Sequence, residues 1–178
     1  MNTTIVIKTV GRDTLKSAIL SAEREGFKDI LVVSDGPFDS SRKSDVKRTS
    51  ASFIELGKRW GFYGGMAANV AAAMVSTDFI TFLDDDDEFA LGAGETIRGR
   101  LEKDTDVDIW ISGVRFNQPV TIKYPKGDGD LQTITSTDVC LRKDLGVVPG
   151  NVAMPTYRTS VFSKVPFTDY LPSDQGEY

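Results

Sequence analysis

The apolar positions of this 178-residue chain change period along its length. Thr4-Ile5-Val6-Ile7-Lys8-Thr9-Val10 is a β-branched run that predicts a first strand. Gly11-Arg12-Asp13 follows as a turn, with Asp13 placed to cap a helix. Leu15, Ala18, Ile19 and Ala22 then repeat at helical spacing, and Gly26 ends the helix. Asp29-Ile30-Leu31-Val32-Val33 predicts a second buried strand, closed by the turn residues Ser34-Asp35-Gly36-Pro37. A strand-helix-strand order implies a parallel pair with a right-handed crossover. Thr9 and Asp35 are thereby expected at the same edge of one sheet.

Ser40 to Ser50 is polar and basic and predicts a loop or a poorly ordered helix. Ser52 to Leu56 suits a short third strand, and Trp60 to Gly65 a turn rich in glycine and aromatics. Met66 to Val75 predicts an alanine-dense helix with Asn69 near its start, and Asp78 to Leu83 a buried strand. Further on, Gly92 to Lys103 suggests a helix weakened by Gly94 and Gly99. Val107 to Ile111 and Val120 to Tyr124 alternate as half-exposed strands do, with a turn at Lys126 to Asp130. Leu131 to Pro149 carries no pattern that assigns it. Asn151 to Arg158 reads as a strand or extended loop, and Ser160 to Lys164 as a helical turn. No linker or repeat interrupts the chain, so one domain is expected over 1–178. Its 1–90 half is of the α/β nucleotide-binding kind, and its 91–178 half is a more irregular acceptor side.

The strand Phe79-Ile80-Thr81-Phe82-Leu83 runs directly into Asp84-Asp85-Asp86-Asp87-Glu88. Clustered carboxylates at the C-terminal end of a buried strand need counter-charge, and a divalent cation shared with substrate phosphates supplies it. Asp84 and Asp86 are two apart, so in an extended segment they share a face. An EF-hand fits poorly, because Phe89 stands where that loop needs glycine and the preceding segment reads as strand. Three further features have both a chemical and an ordinary explanation. Asp35 is either a base or ribose acceptor or a plain Asp-Gly turn residue. Gly64-Gly65 to Asn69 either presents helix-start N–H groups to a diphosphate or simply packs. Asp174 in the polar tail is either a base or a solvated acid. The acidic run itself competes with a solvated acidic turn.

Composition narrows the chemistry. The chain has no histidine and only Cys140, which removes histidine bases, His-containing triads, zinc sites built on His or Cys, and internal disulfides. A catalytic base is then expected to be a carboxylate, and a metal to be hard and oxygen-loving. The net charge of −5 disfavours general binding to nucleic acid or anionic membranes. No apolar run approaches the roughly 20 residues of a membrane span. The N-terminus enters a strand without a basic region or cleavage site, and a cytoplasmic protein is expected.

Together these residues resemble, in their order, the inverting GT-A glycosyltransferases of the family 2 type. That family's first strand ends in a Pro-Thr-Tyr-Asn-like turn, where this chain has Lys8-Thr9-Val10-Gly11-Arg12. Its Val-Asp-Asp-Gly-Ser corresponds to Val33-Ser34-Asp35-Gly36-Pro37, and its Gly…Ala-Arg-Asn to Gly64-Gly65-Met66-Ala67-Ala68-Asn69. Its metal motif Phe-Leu-Asp-x-Asp-Asp matches Phe82 to Asp87, and Pro155 to Phe162 resembles its acceptor region. The resemblance implies a mostly parallel central sheet with flanking helices and a smaller acceptor-side region. It implies transfer of a sugar, with inversion, from a nucleotide-diphosphate donor such as a UDP-sugar to a hydroxyl of a glycan or other acceptor. Thr9 and Asp35 would line the nucleoside pocket, with Asn69 on the donor side. Asp84 would meet the ribose or sugar, and Asp86 would bind Mn²⁺ or Mg²⁺. Asp174 would be the general base, and Arg158 an acceptor contact. Members commonly continue past the base with further helix, so truncation after Tyr178 stays open. A nucleotidyltransferase and a non-catalytic nucleotide-sugar-binding module are the alternatives.

Overall fold

The computed structural model describes residues 1–61, 64–112, 114–125, 131–139, 154–162 and 164. In chain order the elements are β1 (Thr3–Thr9), α1 (Leu15–Arg24), β2 (Asp29–Ser34), α2 (Ser40–Lys47), β3 (Ser52–Glu55), α3 (Gly65–Met74), β4 (Phe79–Asp84), α4 (Ala93–Lys103), β5 (Ile109–Ser112), β6 (Val114–Pro125), β7 (Leu131–Val139), β8 (Met154–Arg158) and α5 (Thr159–Phe162). By contact the chain divides into two compact units, Met1–Asp108 with Tyr157–Tyr178, and Ile109–Thr156.

A six-stranded sheet has the order β3-β2-β1-β4-β8-β5. β1 is central and parallel to both neighbours, with Thr9 beside Ser34 of β2 and Lys8 beside Asp84 of β4. β3 adds in parallel outside β2. The chain thus steps outward from β1 through β2 to β3, then returns over one face of the sheet through α3 to β4 on the other side of β1. Such a reversal of direction opens a crevice at the carboxyl ends of the two strands that part there. Those ends carry Thr9 and Asp84.

The core follows from residue parity. Val6, Leu31, Val33, Ile80 and Phe82 point to one face, where Ala67, Ala68 and Ala71 of α3 cover them. Small alanine side chains let α3 lie close on the strands. Ile5, Ile7 and Val32 have the opposite parity and are fully buried, as are Ala18, Ile19 and Ala22 of α1. Right-handed crossovers in opposite directions put α1 and α3 on opposite faces.

Three local expectations change. Asp13 does not cap α1. Thr14 holds that position with helical backbone angles and no side-chain cap, while Asp13 pairs with Arg42 instead. The 40–50 segment contains a regular helix, α2, capped by Asp39, whose carboxylate accepts from Arg42 N at 3.0 Å. Its apolar anchor is Val46 alone, and Lys43 ties it to Glu55 at 2.6 Å. In the second unit β6 is longer than the expected 120–124 strand and pairs antiparallel with β7, which falls in the stretch left unassigned. The turn at 126–130 and residues 140–153 lie outside the described residues.

Candidate active site

Asp85 organises the crevice between β1 and β4. It lies one residue past the end of β4, in the turn, and is only 2 % exposed. A carboxylate in that position needs donors. Thr9 Oγ1 donates at 2.5 Å, Val10 N at 3.3 Å and Arg12 Nη1 at 2.6 Å. Thr9 Oγ1 in turn accepts from Gly11 N at 2.9 Å. The bond from Asp85 is the foremost cause of a raised Arg12 pKa, and Asp86 and Asp84 add to it. One buried acid thus locks the turn after β1 to the end of β4.

The far side of the acidic run is also fixed. Phe89 is buried against Phe27, with ring centroids 5.1 Å apart, and its N–H donates to Ser21 Oγ at 3.0 Å. Arg24 donates to the Phe89 carbonyl. Held at both ends, Asp84, Asp86 and Asp87 project outward, and one carboxylate oxygen from each lies within 4.8 Å of the others. Trans ligands of an octahedral Mg²⁺ stand about 4.2 Å apart, and those of the larger Ca²⁺ about 5 Å. Small side-chain rotations therefore suffice for these three to hold a divalent cation, and an all-oxygen set favours a hard one. Asp84 is paired with Lys8 Nζ at 2.9 Å and Asp86 with Arg12 Nη1 at 3.1 Å. Asp87 has its pKa raised, first by loss of hydration and then by the charges of Asp84, Asp86 and Asp85, with Lys8 opposing.

Asp35 reaches the same edge by another route. It is buried, and its two oxygens accept from Trp60 N and Gly61 N, both at 2.8 Å. Gly36 makes this possible. Its φ is +105°, and a Cβ there would lie 3.1 Å from the Arg59 backbone. The loop so pinned leads into Gly64, the N-cap of α3, which has φ 76° and no side-chain cap. Gly64 packs against Lys8, since a Cβ there would fall 3.1 Å from Lys8 Cδ. Asn69 is half-buried on α3, four residues after its first.

Of the residues singled out in the sequence, the structure gathers Thr9, Asp84 and Asp86 at the β1/β4 crevice. Asp35 accepts from the backbone of Trp60 and Gly61 instead. Arg158 sits elsewhere. It donates to Asp108 Oδ1 at 3.2 Å and to the carbonyls of Thr105 and Val107, and its guanidinium lies over the ring of Phe79. Phe79 begins β4 and Asp84 ends it, so Arg158 is at the opposite edge of the sheet, roughly 16 Å away along the strand. There it fastens the 104–108 turn. Asp174 lies outside the described residues. Two residues had been missed. Asp85 was not legible by strand parity, because it lies past the end of β4 and Asp87, two residues on, faces outward. Lys8 was legible only once the register set it beside Asp84.

A doubly wound sheet with acids at its switch point is an α/β architecture of the GT-A kind. The family model for glycosyl transferase family 2 matches residues 4–167, and the chain belongs to that family. No curated protein sequence is a significant match. Among solved structures, S. aureus TarS 1-349 superposes with a TM-score of 0.59 at 15% identity, over 92% of this chain and 49% of that one. The same fragment has been solved in complex with UDP. CMP:2-keto-3-deoxy-manno-octonic acid synthetase complexed with CTP gives 0.60 at 16% identity, over 95% of this chain and 80% of that one. Mannosyltransferase PcManGT from Pyrobaculum calidifontis, with GDP-Man and Mn²⁺, gives 0.51 at 14%, over 66% and 35%. At these identities the likeness is one of fold, and the chain spans about half the TarS fragment. No helix among the described residues is long and apolar enough to cross a membrane.

Proposed function

We propose that this domain transfers a sugar from a nucleotide-diphosphate donor, a UDP-sugar, to an acceptor hydroxyl with inversion at the anomeric carbon. The observation that carries this reading is the outward trio Asp84, Asp86 and Asp87 at the switch point, next to the start of α3. The family membership, the UDP bound to TarS, and the GDP-Man and Mn²⁺ bound to PcManGT support it. Asp86 and Asp84, with Asp87, would hold Mn²⁺ or Mg²⁺, which when bound offsets the negative charge that builds on the leaving diphosphate.

The chain's own residues do the rest. Asp85 and Thr9 keep the acids aimed at the crevice, and Asp35 sets the loop that flanks the nucleoside. The bare N-terminus of α3, with Asn69 one turn in, favours an anion. Asp174 takes the proton of the acceptor hydroxyl as its oxygen attacks the anomeric carbon. The bond from that carbon to the phosphate oxygen breaks, and its electron pair leaves with the diphosphate.

Asp86→Ala is expected to abolish Mn²⁺-dependent UDP binding in calorimetry. Asp174→Asn should leave that binding intact and suppress transfer by about 10²–10⁴-fold. Metal-dependent UDP binding that survives Asp86→Ala would remove the metal assignment, and full turnover in Asp174→Asn would remove the base.

The likeness to the CTP-bound synthetase favours one other reading, a nucleotidyltransferase. The β1–α1 turn argues against it. Only residues 10–14 separate the two elements, and Arg12, their one cation, is already paired with Asp85 and Asp86. That is too short a loop to wrap a triphosphate. Stabilisation by nucleoside triphosphates but not by sugar nucleotides would reverse this preference.

A further inference from the structure

A lysine one residue from the end of the central strand of a sheet is unusual in what surrounds it. Lys8 shares the parity of Val6, so it leaves the sheet on the α3 face. Its stem lies on Gly64 at the start of α3, its side chain is 21% exposed, and its ammonium meets Asp84 Oδ1 at 2.9 Å. Asp84 itself is 56% exposed. Lys8 therefore stands between the acids and the helix start, touching both.

We propose that Lys8 is the place-holder for the metal and a phosphate ligand of the donor. In the metal-free protein it neutralises Asp84; when a divalent cation takes Asp84, the ammonium turns to a phosphate oxygen of the diphosphate. This rests on the reading of Asp84, Asp86 and Asp87 as metal ligands. Three points carry it. An ion pair to a half-exposed carboxylate is weak and readily exchanged. A divalent cation bound to the same carboxylate would repel the ammonium at close range and weaken the pair. With its stem fixed against Gly64, Lys8 has a short arc, and that arc leads toward the N-terminus of α3. An anion bridging metal and helix start is the chemistry that fits there, and a diphosphate has the length and charge to bridge them.

The consequence is a coupling between metal and donor. Metal alone must displace Lys8, whereas metal with a diphosphate gives Lys8 a new partner. The test is titration calorimetry of Mn²⁺ alone, and of UDP at saturating Mn²⁺, with the wild-type chain, Lys8→Met and Lys8→Gln. Met keeps the stem on Gly64, and Gln guards against a fold defect peculiar to Met. Melting temperatures of the metal-free proteins establish that each variant is folded. Both variants are expected to bind Mn²⁺ alone more tightly, by about threefold to fivefold, and UDP with Mn²⁺ more weakly, by about tenfold or more. A folded variant lacking either shift overturns the proposal while leaving the metal assignment standing. A wild-type chain that binds neither Mn²⁺ nor UDP overturns the metal assignment and this proposal with it.

Discussion

Asp85 and Asp86 are neighbours with opposite duties. Asp86 faces water among like charges, where its removal relieves repulsion and loses only an exposed ion pair to Arg12. Asp85 is buried and accepts from Thr9, Val10 and Arg12. Replacing it by Ala leaves those donors facing a dry gap, at a cost of about 2–3 kcal/mol. Urea denaturation should therefore show Asp85→Ala clearly destabilised and Asp86→Ala within about 0.5 kcal/mol of wild type. Equal losses in the two variants would contradict the division of labour. The sequence shows five acids in a row and no difference among them. Only the donors that the end of β1 and the turn after it present to Asp85 separate the inward acid from the outward ones. Asp35 was legible as a turn acid at the right edge, but its two bonds to the 60–61 backbone depend on a loop returning from 25 residues away.

At the scale of elements, the link between the end of α1 and the start of α4 is also an acid. Glu25 is buried, and its carboxylate accepts from Gly94 N at 3.1 Å, which with Arg24 holds its pKa below the usual range against the opposing effect of burial. A Cβ on Gly94 would collide with the Glu25 carbonyl, so the two segments need each other's shape. Because the folded pKa is lowered, the stabilisation is present above the unfolded value of about 4.3 and is lost as pH falls through the folded one. Glu25→Gln should therefore melt lower than wild type at pH 7, by about 2–4 °C. The gap should close as the pH is taken well below 4. A gap that stays constant across that range would show that the carboxylate's charge is not involved.

The elements themselves were unequally legible. β1, α1, β2 and β4 carry strong apolar periods and are where the pattern puts them. α2 was not plain because Val46 is its single buried residue, and a helix held by an N-cap and ion pairs leaves no apolar stripe to read. β7 has the sequence Leu-Gln-Thr-Ile-Thr-Ser-Thr-Asp-Val, in which threonines blur the alternation that marks a strand. Its pairing with β6, the strand just before it in the chain, is what defines it.

At the scale of the whole molecule, the chain's net charge of −5 is unevenly placed. Five acids stand consecutively at one sheet edge, and Lys8 and Arg12, which counter them, come from the neighbouring strand end. On the proposed reading such a site would take a cation first and an anion through that cation, as a metal-bound diphosphate requires. Fold class and crevice position could be read from strand order and the acidic run. The neutralisation of those acids could not, because it depends on which residues of β1 the register sets opposite β4. The most direct measurement is anomalous diffraction at the manganese edge from crystals of this domain grown with Mn²⁺ and UDP. The account predicts a peak within about 2.0–2.6 Å of carboxylate oxygens from at least two of Asp84, Asp86 and Asp87, with diphosphate oxygens on its other side. Bound UDP with no manganese peak at these acids would contradict it.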